Sequence, residues 1–449
     1  MVKASDLSFY IETLGCPKNE VDSRRMRHAL LEAGFREAAK PLEADFLLIN
    51  SCSFIREAQE ETIEKTFHAL SLKGRSQKLK VGLVGCFVER FHKEVREEIP
   101  ELDFLLGTGR YHEIPYLLSR KFQIKLSPHA AENFALKAVK NEKPYAFIRL
   151  SEGCNRKCSF CVIPKIRGKF TPYNLEEIKR QWSEEKALRR GQAIREVVLV
   201  SQDTISQKLY DIEAIIDYFS KIDEVHWIRL HYLFPDRRVL DLLELFPKYP
   251  KLVSYLDMPI QHASERILAR MKRPQDMGLI DDIISHARKM RPNLEIRTSF
   301  IVGFPGEEDS DFQQLFHFLE KHKIEKLALF RYSHETHSKA FELYRDDIPE
   351  KVKIERMNEL MRFHEQMRET LRQKLIGGRA TIIIDSINKR EVHGRREQDS
   401  PEIEETVILD RRELGKELRV GDLCEVEITD FVGFDFLASV PKKETSHSV

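Results

Sequence analysis

Three cysteines stand close together in "SEGCNRKCSFCVIP", where Cys154, Cys158 and Cys161 follow a Cys-x3-Cys-x2-Cys spacing. Thiols so placed bind metal or do redox chemistry. A zinc site needs a fourth ligand, ordinarily from a second Cys-x2-Cys or a histidine pair at finger spacing, and neither appears downstream. Cys158 and Cys161 could form a redox dithiol, but the extra Cys154 and a barrel setting do not suit a thioredoxin-like site. A four-iron cluster on three thiolates is the third reading. It leaves one iron open to a bidentate small molecule.

A second set is spread along the first third of the chain. Cys16, Cys52 and Cys86 each close a short apolar run, "LSFYIETLGC", "ADFLLINSC" and "KVGLVGC". A helical pattern follows each run, so the spacing predicts a βαβαβ, doubly wound parallel sheet. Ligands in such sheets sit beyond the carboxyl ends of the strands, where all three cysteines fall. Helix N-termini also favour thiolate over thiol. We therefore expect a shared metal site. Cys424 has no second cysteine nearby and reads as filler in a strand.

The rest of the chain must position these groups. Strand patterns "YAFIRLS", "EVVLVSQ", "WIRLHYL", "LVSYLDMPIQ", "EIRTSFIVG" and "EKLALFRYS" alternate with helical segments. They predict a partial (β/α)6 barrel whose first strand leads into Cys154. A long amphipathic helix from about Pro349 to Leu375 follows, its Met357, Met361 and Met367 serving packing, and Gly377 and Gly378 stop it. From Arg379 short strands predict a small antiparallel β-barrel. The expected domains are 1–130, 140–375 and 376–441, with a polar stretch near Ala130 to Lys143 between the first two.

Composition sets the class. The chain has 449 residues, 41% hydrophobic and 33% charged, with a formal net charge of +1. That is the profile of a globular α/β protein with no global bias toward nucleic acid. Seven cysteines, an odd number, do not suggest a disulfide framework. No apolar run reaches the roughly 18 residues of a membrane span, and the start lacks a signal-peptide pattern. A cytoplasmic protein with no membrane partner is expected.

The triad with Phe160 between its last two cysteines resembles the radical S-adenosylmethionine signature, in which the amino and carboxylate groups of that cofactor chelate the open iron. "GCPKN", "NSC" followed by "FI", "EGCNRKCSFCVIP" with "RG" close behind, and "TSFIVGFPGE" are similar, in order and over nearly the whole chain, to the methylthiotransferase family. The resemblance implies a three-cysteine N-terminal domain, a radical barrel and a C-terminal TRAM barrel. It implies two [4Fe-4S] clusters, one on Cys154, Cys158 and Cys161 and a second on Cys16, Cys52 and Cys86. One S-adenosylmethionine would supply a 5′-deoxyadenosyl radical and another a methyl group, with electrons from an external donor such as flavodoxin or ferredoxin.

The family has a branch acting on tRNA and a RimO-type branch acting on the β-carbon of an aspartate in the twelfth protein of the small ribosomal subunit. "YLDMPIQHASERILARMKR", "VSQDT", "YSHE" and "SPEIE" resemble the second. From Ile376 onward 16 acidic residues face 11 basic ones, and an acidic barrel suits a basic ribosomal protein better than tRNA. The chain departs from the family pattern at Ser51, Arg24, His337 and Ser338, where threonine, an acidic residue and a Gly-Thr pair are frequent. A binding protein with structural clusters is the rival of a different class.

Other candidates are Gly303 and Gly306, which could let backbone approach the cofactor, and Gln202, Gln261 and Arg297 near strand ends, which could reach cofactor or substrate. His231 and His262 read as structural. Arg156, Lys157, Lys165, Arg167 and Lys169 form a basic cluster in sequence around the triad, suited to a carboxylate or phosphate, or to a solvated loop.

Overall fold

The computed structural model describes residues 2–76, 78–126, 143–189, 191–413 and 418–441. The expected linker of residues 130–143 lies, apart from Lys143, outside them.

The three predicted N-terminal strands, Ser8–Thr13, Phe46–Ser51 and Lys80–Gly85, pair in parallel. The short strands Arg36–Glu37 and Phe104–Leu106 extend the sheet at either edge. Numbered along the chain, the order across the sheet is 2-1-3-4-5. The order reverses between Ser8–Thr13 and Phe46–Ser51, and a doubly wound sheet opens its ligand crevice at such a reversal. Cys16 and Cys52 follow those two strands. Helices α1 (Pro17–Glu32), α2 (Arg56–Arg75) and α3 (Cys86–Glu98) return the chain. Pro17 suits the first turn of α1, where its missing N–H costs nothing. Val21, Met26, Leu30 and Leu31 form the buried stripe of that helix.

All six predicted barrel strands are present: Tyr145–Arg149, Glu196–Val200, Trp227–Leu230, Tyr255–Asp257, Glu295–Val302 and Lys326–Arg331. They form two parallel three-stranded sheets, joined between the third and fourth strands by the isolated bridge Ile228–Leu252. The barrel is thus open and curved, with its apolar core against the surrounding helices. The helix Glu350–Gln373 packs Met357 and Met367 on that core.

The C-terminal unit is a closed five-stranded barrel. Two details correct the sequence expectation. Glu391–Arg396 is a strand, its pattern hidden by Gly394 and two arginines, and Val407–Asp410 pairs in parallel with Asp435–Ser439, so the barrel is not wholly antiparallel. Cys424 lies half-buried in the strand Leu423–Val432, packed on the barrel core. Among the described residues no helix is long and apolar enough to cross a membrane.

Candidate active site between two cysteine sets

In the N-terminal domain Cys16 caps α1 and Cys86 is the first residue of α3, while Cys52 stands in the loop before α2. Buried polar bonds fix this crevice. Asn19 donates to the carbonyls of Leu14 at 2.7 Å and Ser51 at 3.1 Å, and Thr62 Oγ1 donates to Cys52 O at 2.8 Å. Ser51 Oγ donates to Val84 O and accepts from Phe87 N, a role that the threonine frequent in the family would keep.

In the barrel, Cys154 follows the first strand. Gly153 stands at φ 72° with the backbone of Gly168 and Lys169 against it, and an added Cβ would come within 2.3 Å of Lys169 O. Glycine is required there by both conformation and space. The loop is pinned by Ser159, whose N–H donates to Met271 O at 2.8 Å, and by Ala340, whose N–H donates to Ser159 O at 2.6 Å. Phe160 packs on the cluster of Ile267, Met271, Ile301, Phe304, Tyr332 and Ala340.

None of the six cysteines is in a disulfide. Burial pushes Cys52 up to about 11 and Cys86 and Cys161 up to about 12, and raises Cys154. Burial thus outweighs the expected help from helix N-termini, so metal binding must displace these protons. Donors nevertheless point at the sulfurs. The N–H groups of Arg156 and Ile163 reach Cys154 Sγ and Cys161 Sγ, each at 3.4 Å, and Arg273 reaches Cys158 Sγ at 3.7 Å. Arg167 reaches Cys86 Sγ at 3.1 Å. A cubane takes its thiolates at separate corners, and the sulfur-directed donors fit such a group.

The two sets face one interface. Asp22 of α1, fully buried, accepts from Arg149 at 2.5 Å and from Arg167 at 2.6 Å, and the phenol of Tyr111 donates to it at 2.9 Å. Burial alone would raise the Asp22 carboxyl, but the two guanidiniums hold it below the usual range. Arg149 also donates to Lys18 O at 2.6 Å. Lys18 itself reaches the barrel rim at Ser201 and Tyr232. On the far side of the interface Arg90 pairs with Glu335 at 2.8 Å and Gln59 donates to Glu335 at 2.7 Å. His337 in this loop has φ 70°, the conformation a glycine adopts freely, which explains the glycine frequent there in the family. Ser338 caps the next helix, as threonine would. Arg24, the other departure, pairs across the interface with Glu185.

The remaining sequence candidates divide. Gln202 donates to Glu152 at 3.3 Å, and its Oε1 is buried with no hydrogen-bond partner among the described residues. Gln261, at φ 84°, donates to Ser299 at 3.2 Å. Both lie past strand ends on the cysteine face. Arg297 instead pairs with Asp257 at 3.1 Å and Glu404 at 3.0 Å, within the barrel. An added Cβ at Gly303 would lie 2.4 Å from Lys353 Cγ, so this glycine admits the long helix. Gly306 likewise faces Arg270. His231 is buried against Ser400, its pKa pushed down by burial to about 3, and His262 accepts from Ser264 N. Both are fully buried. Three members of the basic cluster meet acids: Arg156 pairs with Asp203, Arg167 is buried on Asp22, and Lys165 faces Glu342 at 3.9 Å.

Sequence reasoning missed Lys18, Asp22, Arg149, Tyr232 and Arg273. Arg149 left a signal, a lone cation inside the apolar run "YAFIRLS". Lys18, Asp22 and Tyr232 needed the domain interface, and Arg273 the packing of its loop against Cys158.

Residues 397–405 enter the barrel from the N-terminal ends of its strands. Lys326 is surrounded there by Asp399 at 2.8 Å, Glu405 at 2.6 Å, Glu404 at 3.3 Å and Glu295 at 3.2 Å. Glu196 pairs with Arg229 at 2.7 Å and Arg395 at 2.6 Å. Several acids counted as surface charge in the sequence are therefore spent inside the molecule, and the charge argument for a basic partner weakens accordingly.

A three-cysteine loop past the first strand of an open parallel barrel defines a radical S-adenosylmethionine enzyme, and residues 148–319 match the Radical SAM superfamily. Residues 8–107 match an uncharacterized protein family, UPF0004, and residues 376–440 the TRAM domain. The chain is 35% identical to the ribosomal protein uS12 methylthiotransferase RimO of Leptospira biflexa, over 95% of this chain and 96% of that one. It is 33% identical to the protein of the same name from Chlorobaculum tepidum, over 96% and 98%. Among solved structures it resembles the cobalamin-dependent S-adenosylmethionine radical enzyme OxsB, at TM-score 0.51 and 10% identity, covering 80% of this chain and 56% of that one, a likeness of fold alone. The chain belongs to the RimO family of methylthiotransferases.

Proposed function

We propose that this enzyme replaces a hydrogen on the β-carbon of an aspartate in ribosomal protein uS12 with a methylthio group, working in the cytoplasm with an external electron donor. Cys154, Cys158 and Cys161 would hold one [4Fe-4S] cluster, and Cys16, Cys52 and Cys86 a second. When bound, the first cluster with S-adenosylmethionine supplies the radical that removes the hydrogen, and the second supplies sulfur.

The chain's own part is placement and exclusion. Asp22, clamped by Arg149 and Arg167, fixes the N-terminal crevice on the barrel rim. The apolar packing around Phe160 backs the first cysteine loop, and residues 397–405 stop the far end of the lumen, so the reaction face is reached from one side. The observation that carries the reading is the meeting of two three-cysteine sets at one interface, joined through Arg167 and Cys86.

Mass spectrometry of uS12 and of tRNA from cells with and without the gene tests it. Loss of the methylthio group from uS12 is expected. Loss from tRNA alone would overturn the substrate.

A further inference from the structure

Phe234 follows the third barrel strand on the cysteine face and is half-buried. The guanidinium carbon of Arg156 stands 3.8 Å from the centre of its ring, and that of Arg273 stands 4.0 Å from the same centre. Two planar cations so close to one centre would overlap on a single face, so they cover opposite faces and the ring is held between them. Arg156 belongs to the cysteine loop. Its backbone N–H reaches Cys154 Sγ at 3.4 Å, and its side chain pairs with Asp203 at 2.6 Å and Asp236 at 3.5 Å.

Arg273 comes from the loop after the fourth strand, where Lys272, at φ 55°, ends the helix Glu265–Arg270. The Lys272 N–H returns to Ala269 O at 3.0 Å and the Arg273 N–H to Leu268 O at 2.9 Å, the bond pair of a Schellman stop, so the point from which the side chain departs is fixed. Ser159 of the cysteine loop donates to that stop at Met271 O and Arg270 O, each at 2.8 Å. The Arg273 guanidinium donates to Pro259 O and reaches Cys158 Sγ at 3.7 Å. A carbonyl and a soft, distant sulfur leave a long side chain free to turn, and the ring face removes that freedom.

We propose that Phe234 is a positioning residue: by bracing Arg273 it keeps a donor on Cys158 Sγ, and so sets how readily the group on Cys154, Cys158 and Cys161 accepts an electron. The assignment rests on the [4Fe-4S] reading of these three cysteines given above. A hydrogen bond to a cluster sulfur favours the reduced state, because it meets the added negative charge. Leucine at this position keeps the apolar bulk and loses the π face, whereas tyrosine keeps both.

Redox titration of the reconstituted holoenzyme, followed by electron paramagnetic resonance, tests it. The barrel cluster is the one whose signal changes when S-adenosylmethionine is added, and iron content reports loading. Phe234→Leu should lower the midpoint potential of that signal with iron content intact, and Phe234→Tyr should keep the native value. Arg273→Gln should lower it at least as far, and adding Phe234→Leu to Arg273→Gln should lower it no further. An unmoved potential in Phe234→Leu overturns the assignment. So does a further fall in the double variant, which would mean that the ring acts without Arg273, and so does iron loss in Phe234→Leu, which would make the ring a support of the loop alone. A native enzyme with no signal that responds to S-adenosylmethionine overturns the cluster reading and this assignment with it.

Discussion

Arg167, six residues beyond Cys161, donates from its guanidinium to the sulfur of Cys86 at 3.1 Å. One short helix, Ile163–Arg167, therefore ties the cysteine loop of the barrel to a cysteine of the other domain. The same guanidinium holds Asn19 at 2.7 Å and Asp22 at 2.6 Å. A single side chain thus sets the spacing of two sites distant in sequence.

Replacing Arg167 with Gln removes a charged donor from Cys86 and leaves Asp22 with Arg149 as its one guanidinium. A loss of roughly 1.5 to 3 kcal/mol is expected from the broken charged hydrogen bonds. The midpoint potential of the N-terminal cluster should also fall, because a hydrogen bond to a cluster sulfur favours the reduced state. Redox titration in a Cys154/Cys158/Cys161→Ala background measures it; an unmoved potential would count against a bond to sulfur.

Separate serine substitutions should divide the two sites. Cys158→Ser should lose the barrel's iron and 5′-deoxyadenosine formation together. Cys52→Ser should lose the other set of iron and methylthiolation, yet still form 5′-deoxyadenosine with dithionite. Iron analysis and product chromatography decide between this pattern and joint loss, which would mean one shared centre.

Lys326→Met leaves Asp399, Glu404, Glu405 and Glu295 around an uncharged side chain. Burial lowers the pKa of this lysine, but the surrounding carboxylates overcome that and hold it raised. Breaking such a buried group from one side costs about 3 to 5 kcal/mol. Urea unfolding should show the loss, and limited proteolysis should cut first near the helix Glu350–Gln373.

His364 accounts for one acid-sensitive step. Burial, helped by Arg368, pushes its pKa down to about 4, and its Nε2 faces Ile324 O at 3.1 Å. The unfolded chain takes up this proton below about pH 6.5 and the folded chain only below about 4, so stability is full above 6.5 and falls between those values. A difference on the order of 2 to 3 kcal/mol between native protein and His364→Gln should close across that window. Thermal unfolding at several pH values measures it, and parallel curves would remove His364 from the account.

The sheet and barrel strands were legible because each is an apolar run bounded by turn residues, and the six cysteines because their spacing or strand-end position marks them. Glu391–Arg396 escaped because Gly394, Arg395 and Arg396 mask its alternation, the arginines being matched by Glu196, Asp385 and Asp399 from elsewhere. Lys18 and Asp22 were unreadable for the same reason. Their meaning lies in partners more than a hundred residues away, and no local pattern encodes a partner. Gly303 was placed at the right strand end, but that position does not say which neighbour occupies the space, whereas Arg297 lies third in the strand Glu295–Val302, toward the end where residues 397–405 enter.

The tongue of residues 397–405 also bears on how such a chain could be reassembled. A C-terminal barrel that lends carboxylates to Lys326 and Arg297, and backbone carbonyls to Arg229, is not a portable module. Grafted onto another catalytic core, it would carry acids without their cations, and the core left behind would keep cations facing an open channel. The two halves are bound to change together, as one unit of inheritance.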